Sequence, residues 1–92
     1  MFDPRIRQLA HGLVTFSCDL KPGEKILIES IGGNDDLVRA LIKEAYAAGG
    51  TPFLWLSDKA FERELLLGGS VEQLRQRAVW DSAVMAGMDA YI

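Results

Sequence analysis

The spacing of apolar residues divides the chain into alternating helical and strand-like segments. Asp3 precedes the first segment as a helix N-cap, and Pro4 takes the first helical position, where its missing N–H costs nothing. The turn residues Pro22 and Gly23 close the segment. Its apolar residues recur at the spacing of one helix face: Ile6, Leu9, Ala10, Leu13 and Val14.

Two short apolar runs predict strands, at Ile26–Glu29 and at Thr51–Leu56. The first run is continuously apolar, as in a parallel strand that is covered on both faces, so we expect it in the middle of the sheet. Pro52 stands at the start of the second run, where a lost N–H donor matters least. A third strand begins near Ala90.

A second helix is predicted between these strands. Asn34 or Asp35 is expected to cap its start, and Gly49 or Gly50 is expected to end it with a positive φ. Its apolar residues also form one stripe: Leu37, Val38, Leu41, Ile42, Ala45 and Ala48.

Two further helices are predicted between the second and third strands. Ser57 or Asp58 caps the shorter one, which Gly68 and Gly69 end. Ser70 opens the longer one, with Gln73 at the capping-box spacing. Apolar residues along the longer helix include Val71, Leu74, Ala78 and Met85.

The alternation of strands and helices predicts an α/β fold with a parallel sheet and right-handed crossovers. The expected architecture is a three-layer, Rossmann-like sheet with helices on both faces, comprising two full strands and the start of a third. Such a sheet is smaller than a parallel α/β domain usually needs. We therefore expect residues 1–92 to be a single α/β domain and the N-terminal part of a longer protein, interrupted in its third strand.

Composition narrows the function classes. The net charge is −3, which argues against nucleic acid or an anionic membrane as a partner, because both attract a basic face. No apolar run reaches the length of a membrane span, and the N-terminus lacks the pattern of a secretory signal. Cys18 is alone, so no internal disulfide forms. These features predict a cytoplasmic location.

Several residues have side chains that could react or bind a ligand, but each has a simpler structural interpretation. His11, the only histidine, falls off the apolar stripe, so we expect it at the surface rather than in a catalytic or metal site. Cys18 lacks a neighbouring base, which favours a buried or half-buried thiol. In "ESIGGNDD" a strand leads into a helix, but Asp35 and Asp36 would repel a phosphate and no dinucleotide motif is present.

Three further patterns also have structural interpretations. Glu29 lies near the carboxyl end of the first strand, where ligand sites form in α/β sheets. A receiver-type phosphorylation domain would also have a phosphoacceptor Asp at the end of a later strand. Asp58, after the second strand, is better explained as a helix cap. The charged groups Arg63/Glu64 and Glu72/Arg75/Gln76/Arg77 are typical of solvated helix faces. The larger aromatic residues favour core positions: Phe53, Trp55, Phe61 and Trp80.

The order of several segments resembles the start of the thermophilic metalloaminopeptidases, of the aminopeptidase T and aminopeptidase S type. The matching stretches are "LVTFSCDLKPGEKILIES", "LVRALIKEAYAAGGTPFLWLSD" and "DAYI", which span nearly the whole chain. The resemblance implies a dimeric, metal-dependent exopeptidase that removes N-terminal residues from peptides. It also implies two divalent ions, of the zinc or cobalt type, bound by carboxylates and histidines in a C-terminal part. "SIGG" matches no family motif, so no substrate contact is assigned there.

None of those metal ligands falls on a matched position, so no residue of this chain is assigned a catalytic, cofactor-binding or metal-binding role. The preferred hypothesis is a non-catalytic N-terminal α/β segment of such an enzyme. Its expected partners are the rest of the parent chain, the peptide substrate of the full enzyme and further copies in a homo-oligomer. The alternative is a stand-alone α/β domain that binds a nucleotide or a protein partner.

Overall fold

The computed structural model describes residues 3–33 and 35–92. In chain order it contains helix α1, a π-helical segment, strand β1, helix α2, strand β2, helices α3 and α4, and strand β3. Their bounds are Pro4–Gly12, Leu13–Ser17, Lys25–Ile31, Asp35–Ala47, Thr51–Ser57, Lys59–Gly68, Val71–Ala86 and Ala90–Tyr91. The predicted α/β class and element order are confirmed.

The sheet has three strands in the order β2-β1-β3, and both pairings are parallel. β1 pairs with β2 along its whole length, from Lys25 opposite Thr51 to Ile31 opposite Ser57. β3 pairs only with the start of β1, where Ile26 lies opposite Ala90. The most continuously apolar strand is therefore the central one, as predicted.

Local sequence fixes the ends of the helices. The side chain of Asp3 accepts a hydrogen bond from the Arg5 N–H at the start of α1, and Asp58 does the same for Ala60 at the start of α3. Ser70 caps α4 by accepting from the Gln73 N–H at 3.1 Å. α2 begins at Asp35, and its predicted cap Asn34 lies outside the described residues.

Helix α2 ends in a Schellman motif. The N–H of Gly50 donates to the carbonyl of Ala45 at 2.9 Å, and the N–H of Gly49 donates to that of Tyr46 at 2.9 Å. Gly49 has a φ of +83°, which confirms the prediction of a left-handed glycine at this end. An added Cβ at Gly50 would lie 2.6 Å from Leu20 Cδ2, so the Leu20 side chain would have to shift to admit one.

The hydrophobic core lies on one face of the sheet, between β1 and the first two helices. Ile26 and Ile28 project into it from β1 and are at most 1% exposed. The predicted stripe of α2 is confirmed, since its members are buried or half-buried there. The buried members of this cluster are Ala10, Val14, Leu20, Ile26, Ile28, Val38, Ala40, Leu41 and Ala45.

On the opposite face, Leu27 is fully buried, but α3 and α4 contribute no buried residue in the described part of the chain. The prediction that the larger aromatics form the core is therefore wrong for most of them. Phe61 and Trp80 are 70% and 66% exposed, Phe53 at the edge strand is 44% exposed, and Trp55 is half-buried. The reason is that α3 and α4 make few contacts with the sheet or with each other, whereas α1 packs on α2 and α2 packs on β1 and β2.

Candidate functional site

The main polar cluster lies on the thinly covered face, near the carboxyl end of β1. Glu29 is half-buried there, and its Oε2 accepts a hydrogen bond from the Tyr91 hydroxyl at 2.8 Å. Glu29 and Tyr91 belong to neighbouring strands, since β3 pairs with β1. This hydrogen bond raises the pKa of the Tyr91 phenol, because the carboxylate stabilises the protonated hydroxyl.

Arg77 of α4 makes a second set of polar contacts, with Glu62 of α3. Its two terminal nitrogens donate to both carboxylate oxygens of Glu62, at 2.8 and 2.9 Å, and its Nε lies 3.7 Å from Asp81. The Glu62 hydrogen bonds raise the pKa of Arg77 most, and the charge of Glu29 adds to the shift. The same hydrogen bonds lower the pKa of Glu62. Arg77 therefore joins α4 to α3 through its paired hydrogen bonds to Glu62.

Chemically, this cluster is suited to holding elements together rather than to reacting. Glu29 already accepts a hydrogen bond from the Tyr91 hydroxyl, and both carboxylate oxygens of Glu62 accept hydrogen bonds from Arg77. A carboxylate committed to such partners is a poor general base. The Glu29–Tyr91 hydrogen bond joins β1 to β3, and the Glu62–Arg77 pair joins α3 to α4.

His11 was predicted at the surface and Cys18 as a buried or half-buried thiol; both predictions are confirmed, with partners that the sequence pattern did not indicate. His11 is exposed, and its Nδ1 donates to Glu44 Oε2 at 2.9 Å, which ties α1 to α2. Cys18 is half-buried, and burial raises the pKa of its thiol. Its Sγ lies 3.8 Å from the Tyr91 carbonyl oxygen, to which it donates. A thiol that stays protonated and donates a hydrogen bond is a weak nucleophile.

The loop after β1 has the backbone of a tight connection. Gly32 and Gly33 both have positive φ, at +75° and +79°. α2 follows with Asp35 and Asp36 in its first turn, where they complement the helix dipole. Two carboxylates at this position disfavour a phosphate ligand, and the absence of a phosphate site here stays a prediction.

The residues present do not suit a metal centre. Across residues 3–33 and 35–92, no group of three or more His, Cys, Asp or Glu side chains comes together to hold an ion. Metal sites in proteins require such convergence. The predicted absence of a catalytic, cofactor-binding or metal-binding residue in this chain stays a prediction.

The sequence pattern missed Arg77 and Tyr91 as members of the cluster. Arg77 is exposed, as its assignment to a solvated helix face requires, but it also pairs with Glu62 fifteen residues earlier. The one local signal was the spacing of Arg77 and Asp81, which are one helical turn apart and form an ion pair on α4. Tyr91 could be placed opposite Leu27 only once the register of β3 was known.

In the described part of the chain, no helix is long and apolar enough to cross a membrane. No curated protein matches the chain in a sequence comparison. Among solved structures, the fold is similar to that of wild-type AmpT from Thermus thermophilus, with a TM-score of 0.64 and 24% sequence identity. That match covers 80% of this chain and 19% of the AmpT chain. The profile of the thermophilic metalloprotease (M29) family matches residues 2–92. The chain therefore belongs to the thermophilic metalloprotease (M29) family.

Proposed function

We propose that this chain is the non-catalytic, N-terminal α/β segment of a longer metal-dependent aminopeptidase, which removes N-terminal residues from peptides. The observation that carries the proposal is the family match over residues 2–92, together with a fold likeness that covers only 19% of the AmpT chain. In this proposal the remainder of the polypeptide supplies the metal ligands, and two divalent ions there activate water and polarise the scissile carbonyl.

The role proposed for residues 1–92 is architectural. The Glu29–Tyr91 contact joins β1 to β3, and the Glu62–Arg77 contact joins α3 to α4, which supports a role for this segment as one wall of the enzyme. Its partners are the rest of the parent chain, the peptide substrate and other copies in a homo-oligomer. The proposed location is the cytoplasm.

The test begins with the reading frame downstream of Ile92, followed by assays of both proteins. The 92-residue chain and the longer product are purified and assayed on aminoacyl anilides with added cobalt or zinc. The proposal expects metal-dependent turnover by the longer protein and none above a blank by the 92-residue chain. Turnover by the short chain would contradict its non-catalytic role. A stop codon after Ile92 would instead favour a stand-alone binding or assembly domain.

A further inference from the structure

The outer edge of β2 is a row of main-chain groups that face away from the sheet. The order β2-β1-β3 gives β2 a neighbour on one side, and no strand within residues 3–33 and 35–92 pairs with its other side. The Thr51 N–H donates to the Glu24 carbonyl at 2.8 Å, so Thr51 and every second residue after it direct their main-chain groups at β1. The residues between them direct theirs outward: Pro52, Leu54 and Leu56. Leu54 and Leu56 therefore each present an N–H and a C=O at the edge, whereas Pro52 presents only its C=O.

The side chains of β2 do little to protect this edge. Natural edge strands are usually blunted by charged residues, by a bulge, by short length or by a covering element. β2 is seven residues long, pairs with β1 along its whole length and contains no charged residue. On one face Leu54 and Leu56 are 39% and 70% exposed, and on the other Phe53 is 44% exposed. An uncharged, apolar edge of this length is a template for another strand.

The topology keeps this edge open when further strands are added. From β1 the chain steps to one side to form β2, and it then crosses to the other side to form β3. That is the start of the doubly wound order 2-1-3-4-5, in which later strands continue beyond β3 and β2 stays at the edge. A partner for the β2 edge is therefore expected from another molecule rather than from a later strand of the same chain.

A second copy of β2 fits this edge because the strand is complementary to itself. In an antiparallel pair about a twofold axis at Trp55, Leu54 of each copy lies opposite Leu56 of the other. Each such pair exchanges both of its N–H···O=C bonds. The two half-buried Trp55 side chains then meet across the axis as an aromatic cross-strand pair, which stabilises a sheet. Charge does not oppose the contact, because neither strand carries a charged side chain.

Pro52 and the start of α3 select this register over its neighbours. A shift that puts Leu54 opposite itself would put Leu56 opposite Pro52, whose missing N–H leaves the Leu56 carbonyl without a donor. A shift the other way would put Leu54 opposite Asp58, whose carbonyl already accepts from the Glu62 N–H at 2.9 Å in the first turn of α3. The register with its axis at position 55 pairs all the outward groups of both leucines.

We propose that the outer edge of β2 is an interface between two copies of this chain, which pair antiparallel about a twofold axis at Trp55 and form one continuous sheet. This inference rests on the proposed function for its partner, because that function includes a homo-oligomer. It adds the surface and the register to that function.

Disulfide cross-linking tests the register. Cys18→Ala provides a background without a native thiol. Trp55→Cys places a thiol at the axis, where the two Cβ atoms would lie about 4.5–5.5 Å apart, close to the span of a disulfide. Phe53→Cys is the matched control on the same face, because its counterpart would lie about 13 Å away along the partner strand. Mild oxidation should give at least about tenfold more covalent dimer of Trp55→Cys than of Phe53→Cys.

A mixture of two single variants sharpens this test. Position 53 of one copy lies opposite position 57 of the other, so Phe53→Cys mixed with Ser57→Cys should cross-link although neither variant does so alone. Equal covalent dimer from Trp55→Cys and Phe53→Cys would overturn the proposal.

A second measurement does not depend on cysteine chemistry. Leu56→Lys puts a charge at the edge while leaving the main-chain bonds to β1 in place, and Leu66→Lys puts the same charge on α3 at a side chain that is 61% exposed. Sedimentation equilibrium across a concentration series should show a dimer of the 92-residue chain. Leu56→Lys should raise its dissociation constant by about tenfold or more, and Leu66→Lys should change it less than about twofold.

The outcomes separate this inference from the proposed function. A chain that stays monomeric, or a dimer that both lysine variants weaken equally, overturns the β2 interface, and metal-dependent peptidase activity of the longer protein would still support the function. A dimer with the expected cross-links, together with a longer protein that lacks peptidase activity, supports the interface and overturns the function.

Discussion

On one face of the sheet, α1 and α2 shield Ile26 and Ile28 from solvent almost completely. On the other face, α3 and α4 contain no buried residue in the described chain and are joined to each other by the Arg77–Glu62 contact. Helix N-caps are present in both halves, since Asp3, Asp58 and Ser70 all cap their helices. What differs is the number of partners that each helix finds.

The comparison shows that correct helix signals do not by themselves produce a core. The apolar residues of α2 form one stripe, which β1 and α1 cover completely at Val38, Leu41 and Ala45. The apolar residues of α4 are spread round its axis, so one sheet face cannot bury them all. Most helical stability in proteins comes from packing of an apolar face, so α3 and α4 should be the less stable half.

The largest expected difference is in the free energy of unfolding of two leucine-to-alanine variants, one in each half. Leu41→Ala removes a side chain that is 3% exposed in the core and should destabilise the chain by about 2–5 kcal/mol. Leu66→Ala removes one that is 61% exposed on α3 and should cost less than about 1 kcal/mol. Urea unfolding measures both variants. Equal losses would contradict the difference in packing.

The next largest effect is expected on thermal stability when the glycine that ends α2 is replaced. Gly49→Val forces a β-branched residue into a φ of +83° and brings its Cβ within 3.2 Å of Pro22, so it should destabilise by about 1 kcal/mol or more. Gly68→Ala is the control at the end of α3, where an added Cβ meets no atom within 4 Å. Thermal melts compare the two. A Gly49→Val midpoint equal to that of the wild type would refute the Schellman assignment.

A smaller effect is expected from loss of the Arg77 contacts. Arg77→Gln removes the paired donors to Glu62 and should speed amide hydrogen exchange within α3 and α4 while leaving α2 unchanged. Global stability should change little, because exposed ion pairs contribute weakly. Arg75→Gln, an exposed arginine on the same helix, is the matched control. Faster exchange in α2 would show that the link is not confined to this half.

The smallest effect is the pH dependence of the same contact. The pKa of Glu62 is lowered from 4.5 by its hydrogen bonds to Arg77, so the folded state favours the charged carboxylate. The contribution is therefore present above the unfolded pKa and is lost as pH falls through the folded one. The exchange difference between wild type and Arg77→Gln should shrink below about pH 4. A difference that persists in acid would assign it to another cause.

Much of the fold could be predicted from the sequence, because its signals are local or periodic. Asp58 and Ser70 mark helix starts, Gly49 marks a helix end, and the continuous apolar run at Ile26 marks the central strand. Exposure of Phe61 and Trp80 could not be predicted, because side-chain burial depends on which elements surround a residue. An apolar residue shows that a partner is needed but does not supply one.

The polar cluster was less predictable than the fold. Glu29 was singled out by its place near the end of a strand, but its partner Tyr91 lies 62 residues away. Arg77 and Glu62 are 15 residues apart on two helices, so their contact depends on how α3 and α4 turn back on each other. Pairings of this kind follow from tertiary geometry and leave no periodic signal.

Native-state hydrogen exchange of the 92-residue chain tests the central comparison most directly. The account predicts that the most protected amides lie in β1 and α2, and that amides of α3 and α4 exchange at least about tenfold faster, through local opening. It also predicts that this gap persists at every pH at which the chain is folded. Equal protection in α2 and α4 would contradict the claim that α3 and α4 are less well packed than α1 and α2.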